Sequence, residues 1–150
     1  MHWLGVFAGG KLAIVNERFQ RGAARQAELG GAGGVRGRVY DELADIAPDL
    51  HRFAVEFAYG DIHSRPGLDA GRRELVILGV LVALGDTRPQ LEAHLGSALN
   101  AGVAPGEIVE AILQALPYAG FPRVLAAMAV ARTVLESRDL LPVTTNSLAQ

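Results

Sequence analysis

The sequence contains no cysteine. That excludes disulfide scaffolds, thiolate nucleophiles, redox dithiols and thiolate metal sites together, and it makes the cytosol the expected compartment. Neither sign of charge is in excess: 14 Lys and Arg stand against 16 Asp and Glu, a formal net charge of −2. The clustered cation that a phosphate-backbone binder needs is missing, so no nucleic-acid partner is expected. Long hydrophobic runs are also missing. The longest, Leu75 to Gly85, falls far short of the roughly 20 residues a spanning helix requires, so no membrane partner is expected. The opening stretch from Met1 to Lys11 has no cationic region ahead of its apolar residues and no obvious cleavage site, and reads as a loose extension rather than a signal peptide. The histidines at 2, 51, 63 and 94 are scattered with no HxxxH spacing, so no metal centre is expected. No serine sits in a nucleophile elbow. The cluster Gly30-Gly31-Ala32-Gly33-Gly34 lacks both a preceding strand and the Lys-Ser/Thr ending of a phosphate loop, and reads as a joint.

What remains is a chain of 150 residues, half of them apolar, the size and make-up of one globular domain. Residues 1–34 read as an N-terminal extension, partly helical from Asn16 to Leu29 with Asn16 as N-cap. Residues 35–138 read as the helical domain and 139–150 as a tail. Within the domain a short helix is expected over 35–46. The next, over 48–59, starts at Pro48, stops at Gly60, and turns Leu50, Phe53, Ala54 and Phe57 inward. A structured loop follows from Gly60 to Asp69, with Asp69 capping a helix over 70–84. Beyond its first turn that helix is apolar all round, which calls for protein on every side and argues for an oligomer. The β-branched run at 76–82 raises a buried strand as an alternative, but the stretch exceeds a typical strand and Gly85 stands where a helix terminator belongs. Further helices are expected over 89–101, over 105–116 with Pro117 as its stop, and over 122–137 with Leu125, Met128, Ala131 and Leu135 inward. No hairpin signal appears, so the fold class is all-α, a compact domain of about six helices.

His94 carries the most chemical information. It shares an apolar stripe with Leu91, Leu95 and Ala98, so its ring is expected to be desolvated, either as a satisfied core histidine or as a general acid/base. Glu74, in the first turn of the apolar helix and twenty positions earlier, is the partner that a helix, a short turn and an antiparallel return can bring to it. The ordinary alternative for Glu74 is compensation of the helix dipole. Arg65, Arg72 and Arg73 form a local cationic group able to hold a carboxylate, or else a solvated helix end paired with Asp69 and Glu74. His63 can join that group or sit in water. Tyr118 and Phe121, between Pro117 and Pro122, offer an aromatic wall or a packing contact.

Several segments taken in order resemble the γ-carboxymuconolactone decarboxylase family: Tyr59-Gly60-Asp61-Ile62-His63-Ser64-Arg65-Pro66-Gly67-Leu68-Asp69, Arg73-Glu74-Leu75, Gln90-Leu91-Glu92-Ala93-His94, Ala98-Leu99-Asn100-Ala101-Gly102, Glu107-Ile108-Val109-Glu110 and Tyr118-Ala119-Gly120-Phe121-Pro122. The resemblance covers roughly residues 35–137. It implies an all-helical, alkylhydroperoxidase-D-like fold assembled as a homo-oligomer, a trimer or hexamer. In the cysteine-dependent members of the wider superfamily a His and an upstream Glu match His94 and Glu74, but the two cysteine positions fall near Thr87 and Gln90 here, so peroxidase chemistry by that route is closed. The implied activity is decarboxylation of a carboxylated lactone without a cofactor. Arg65, Arg72 or Arg73 would anchor carboxylate, His94 would deliver the proton and Glu74 would orient His94. A lactone hydrolase, or a non-catalytic oligomer that binds small acids, stands as the alternative. One departure is Ala104, where the family often has Thr or Ser as a helix cap.

Overall fold

The computed structural model describes residues 16–30 and 35–144, with no statement about the side chains of 35–38. The expected extension before Asn16, the glycine joint at 31–34 and the end of the tail at 145–150 lie outside the described residues. Every regular element among those described is helical.

Helix α1 spans Glu17–Glu28, and its N-terminus is closed as expected: the Asn16 side chain accepts from the Phe19 N–H at 2.8 Å. Helix α2 covers Val35–Glu42 and gives way to turns before Pro48, earlier than the expected end at 46. Helix α3, Leu50–Phe53, runs straight into a π-helical segment, Ala54–His63. Helix α4, Ala70–Leu84, begins at Asp69, whose Oδ1 accepts from the Arg72 N–H at 2.8 Å, and ends at Gly85 with φ 73°. Helix α5 spans Arg88–Asn100 with Pro89 in its first turn. Helix α6, Pro105–Gln114, has no side-chain cap from Ala104, but Glu107 reaches back to accept from the Ala104 N–H at 2.8 Å. That is one half of a capping box; the other half, a side-chain oxygen accepting from the Glu107 N–H, is what Ala104 cannot provide. Helix α7, Leu116–Ala119, takes in Pro117 and Tyr118, so Pro117 opens a short helix as well as ending α6. Helix α8 spans Phe121–Glu136.

One apolar cluster joins α4, α5, α6 and α8. Leu78 and Val82 meet Leu91, Leu95 and Ala98, with Ile108 and Ile112 from one side and Val124, Ala127 and Ala131 from the other. Helix α1 packs chiefly along the π segment.

Three expectations about packing are corrected. Gly60 does not terminate a helix; it lies inside the π segment, where a Cβ would collide with the Arg18 carbonyl oxygen of α1. Its role is close approach. Leu50, Phe53 and Phe57 do not face inward: they are 39%, 54% and 60% exposed, while Val55, Tyr59 and His63 are buried. The inward row is instead Val55, Tyr59 and His63, displaced from the expected stripe and carried past Gly60 by the π-helical continuation. In α8, Leu125 is 63% exposed and the inward row is Val124, Ala127, Ala131 and Leu135. Small side chains there let α8 sit close to the cluster, and a helix apolar on many faces offers more than one stripe. Helix α4 buries Glu74, Leu78 and Val82 but leaves Val76, Val80 and Leu84 in solvent on a second stripe. Among the described residues, no helix is long and apolar enough to cross a membrane.

Candidate functional site

The site is built around one carboxylate. Asp69 starts α4, which places Glu74 in its second turn, pointing into the domain rather than at solvent; it is 0% exposed. Helix α5 returns antiparallel after the Gly85 turn and brings His94 to it. The His94 Nδ1 lies 2.7 Å from Glu74 Oε2. The π segment supplies the third member: His63 Nε2 lies 3.1 Å from Glu74 Oε1. Each carboxylate oxygen therefore faces a different imidazole, carried on a different element.

The histidines differ in access. The His63 side chain is 5% exposed, that of His94 17%. The His63 ring stacks on Tyr59 with centroids 5.7 Å apart, and its Nδ1 is buried without a hydrogen-bond partner. An ionised carboxylate can only accept, so both rings turn an N–H toward Glu74: Nδ1–H from His94 and Nε2–H from His63. That leaves Nε2 of His94 as the nitrogen available to a visiting molecule.

A cleft of about 310 Å³ meets the His94 edge. Its walls include Tyr40 of α2, Leu43 just beyond it, Tyr59 of the π segment, and Gln90, Ala93 and His94 of α5. Tyr59 is itself held at the end of the π segment, where its carbonyl accepts from both the Ser64 N–H at 3.1 Å and the Ser64 hydroxyl at 2.7 Å. Two larger hollows, of about 510 and 820 Å³, are lined by none of the three side chains Glu74, His63 and His94.

The other residues singled out from the sequence lie apart from this cleft. Arg73 braces the loop before α4: its Nε donates to the Leu68 carbonyl at 3.1 Å and its Nη2 to the Arg65 carbonyl at 2.6 Å. Arg72 pairs with Asp69 at 2.8 Å on the surface, and Arg65 is exposed. None of the three is among the described residues lining the His94 cleft. Tyr118 is 86% exposed beside an apolar hollow between α4 and α6, and Phe121 is 66% exposed. His63, expected either with the arginines or in water, is instead buried against Glu74. Sequence reasoning missed the walls: Tyr40, Tyr59 and Gln90. The usable signal was the four-residue spacing from Tyr59 to His63, which puts the two on one face of a helix that continues past Gly60. Among the described residues, no group of three or more His, Asp or Glu side chains is arranged to hold a metal ion.

A family model and one relative over most of the chain carry the same family name. A family model described as the carboxymuconolactone decarboxylase family matches residues 48–133. A 4-carboxymuconolactone decarboxylase of Acinetobacter baylyi is 36% identical over 126 residues, 84% of this chain and 92% of that protein. A nitrosuccinic acid decarboxylase of Metarhizium robertsii is 38% identical over 80 residues, 53% of this chain and 55% of that protein. An uncharacterized 15.0 kDa protein of Paracoccus denitrificans is 32% identical over 98 residues, 65% of this chain and 73% of that protein.

Proposed function

We propose, from the premise that this chain belongs to the carboxymuconolactone decarboxylase family, that it is a cofactor-free carboxy-lyase with His94 as its general acid/base. The substrate class is a small carboxylated lactone such as 4-carboxymuconolactone, met in aromatic-acid breakdown. The observation that carries this reading is the single accessible imidazole edge at the cleft, with its far nitrogen 2.7 Å from a buried carboxylate.

The chemistry follows from the substrate. Breaking the bond to the carboxylate carbon releases CO2 and leaves an electron pair on the ring carbon. A conjugated lactone carbonyl takes that pair as an enolate, so the electron sink travels with the substrate. The protein has to exclude water, stabilise the enolate and return a proton to carbon. His94 in its imidazolium form gives that proton from Nε2, and the Glu74 carboxylate at Nδ1 stabilises the charged ring before the transfer. Two other names among the relatives bear on the class: both characterised ones are called decarboxylases, of chemically different acids.

The anchors expected for substrate carboxylate, Arg65, Arg72 and Arg73, serve the loop before α4 within one chain, and Arg65 and Arg72 face outward. Their use as anchors belongs to an assembly in which a neighbouring copy offers its cleft. The uncovered apolar stripe Val76, Val80 and Leu84, with exposed Tyr118 lining the same hollow as Val76, supports a homo-oligomer, for which a trimer or hexamer in the cytoplasm is the proposed form.

Turnover of a carboxylated lactone, followed by CO2 release, tests the assignment. His94→Ala is expected to lower kcat by about 10²–10⁴-fold. Unchanged turnover would remove the acid/base role. Ring opening without CO2 would make the protein a lactone hydrolase, and binding of small acids without turnover would make it a binding protein.

A further inference from the structure

His63 takes no part in the proton transfer just described, yet it is among the most deeply buried polar side chains of the domain. Its stacking on Tyr59 needs no nitrogen; a phenyl ring would stack as well. Its Nδ1 sits in the interior with no partner, which a buried polar atom rarely tolerates. What the imidazole provides that a phenyl cannot is one contact, Nε2 on Glu74 Oε1 at 3.1 Å.

We propose that His63 is a positioning residue for the acid/base: it pins one oxygen of Glu74 so that the other holds the His94 proton on Nδ1 and leaves His94 Nε2 for the substrate. The terminal torsion of a glutamate is broad and nearly two-fold, so contacts on both oxygens hold the carboxylate plane more firmly than the His94 contact alone. A second contact, from the π segment on the opposite side, fixes its plane. The proton assignment is consistent throughout. With Nε2–H given to Glu74, the orphan at His63 Nδ1 is a lone pair, which is easier to leave unpaired than an N–H. The arrangement is the familiar logic of an outer partner setting the tautomer of a working histidine, with the carboxylate in the middle and a second histidine behind it.

This inference rests on the acid/base reading of His94, but its test needs no substrate. Imidazole 15N spectra report which ring nitrogen carries hydrogen in the neutral rings. In the unaltered protein His63 is expected as the Nε2–H form and His94 as the Nδ1–H form. His63→Gln, whose amide can still donate to Glu74, is expected to keep His94 in that form. His63→Phe retains the stacking but not the donor, and is expected to let His94 populate both tautomers. With a carboxylated lactone as substrate, the Phe variant should lose about 10–100-fold in kcat with KM little changed, and the Gln variant should recover most of it. An unaltered His94 spectrum in His63→Phe overturns the proposal however far kcat falls. So does a hydrogen on Nδ1 of His63 in the unaltered protein, which decides the matter even if the Phe variant fails to fold. Loss of turnover in every form, with the expected tautomers in place, would instead sink the decarboxylase reading and leave the positioning role standing.

Discussion

The layer formed by α4, α5, α6 and α8 and the layer formed by α1 with the π segment are held together by different forces. In the first, Leu78, Leu95, Ile108 and Ile112 of α4, α5 and α6 are fully or almost fully removed from water and belong to one cluster with Val124, Ala127 and Ala131 of α8. In the second, two glycines bring backbones together. A Cβ on Gly22 would collide with the Val55 carbonyl, and one on Gly60 with the Arg18 carbonyl. Around them run polar contacts: Arg21 Nε donates to the Gly60 carbonyl at 2.7 Å, Arg18 Nε to the Asp61 carboxylate at 3.0 Å, and Asn16 Nδ2 to Glu56 at 3.1 Å. Glu74 and His94 belong to the apolar layer, His63 and Tyr59 to the polar one. The Glu74–His94 pair thus sits where packing leaves no slack, and the residues that touch it from the π segment and wall the cleft sit where contacts can be changed one at a time.

Three substitutions probe that division. Ile112→Ala, in the apolar layer, is expected to cost about 2–5 kcal/mol through lost burial and the cavity left behind. It should lower the midpoint of a single cooperative thermal transition; a loss well under 1 kcal/mol would mean that the layer relaxes around the hole. Gly22→Ala comes next. In an isolated helix it would stabilise by about 0.5–1 kcal/mol, but here the added methyl meets backbone that cannot swing aside, and a net destabilisation of about 1–3 kcal/mol is expected. Hydrogen exchange should show the loosening confined to α1 and the π segment. A stabilised variant would show that α1 is not seated as described.

Asp61→Asn has the smallest expected effect, and its pH dependence has a definite sign. The Arg18 guanidinium, hydrogen-bonded to Asp61, holds that carboxyl below its ordinary value. A carboxylate with a folded-state value below its unfolded one contributes stability above the unfolded value, near pH 4. That contribution is lost as pH falls through the folded value. The variant should therefore differ from the parent at neutral pH and converge with it in stronger acid. Because the pair is at the surface, the difference should also fade at roughly 1 M salt. A difference that persists in both conditions would mean Asp61 acts by packing rather than by charge.

Much of this architecture was readable in the residues, and the boundary of what was readable is physical. Caps and terminators act locally, so Asn16, Asp69 and Gly85 mark helix ends correctly. The twenty-residue gap between Glu74 and His94 is a helix, a turn and a return, and the side chains meet at its two ends. The π segment left no local mark. Its phase is set by docking against α1 through Gly22 and Gly60, a contact between residues far apart in sequence. A helix stopping at Gly60 turns Phe53 and Phe57 inward and leaves His63 in a loop, whereas both phenyl rings are exposed and His63 is buried. The arginines mislead for another reason. A guanidinium serves a backbone carbonyl as well as it serves a ligand, and Arg73 spends its donors on Leu68 and Arg65.

The three side chains at the centre of the site come from residues 63, 74 and 94, on three separate elements. During synthesis the chain emerges N-terminus first. His63 and Glu74 are out of the ribosome while the partner imidazole is still inside it. Until α5 has been made and has folded back, the carboxylate has no shelter and nothing to steer. A shortened product ending before that helix lacks one of the three side chains and cannot assemble the site.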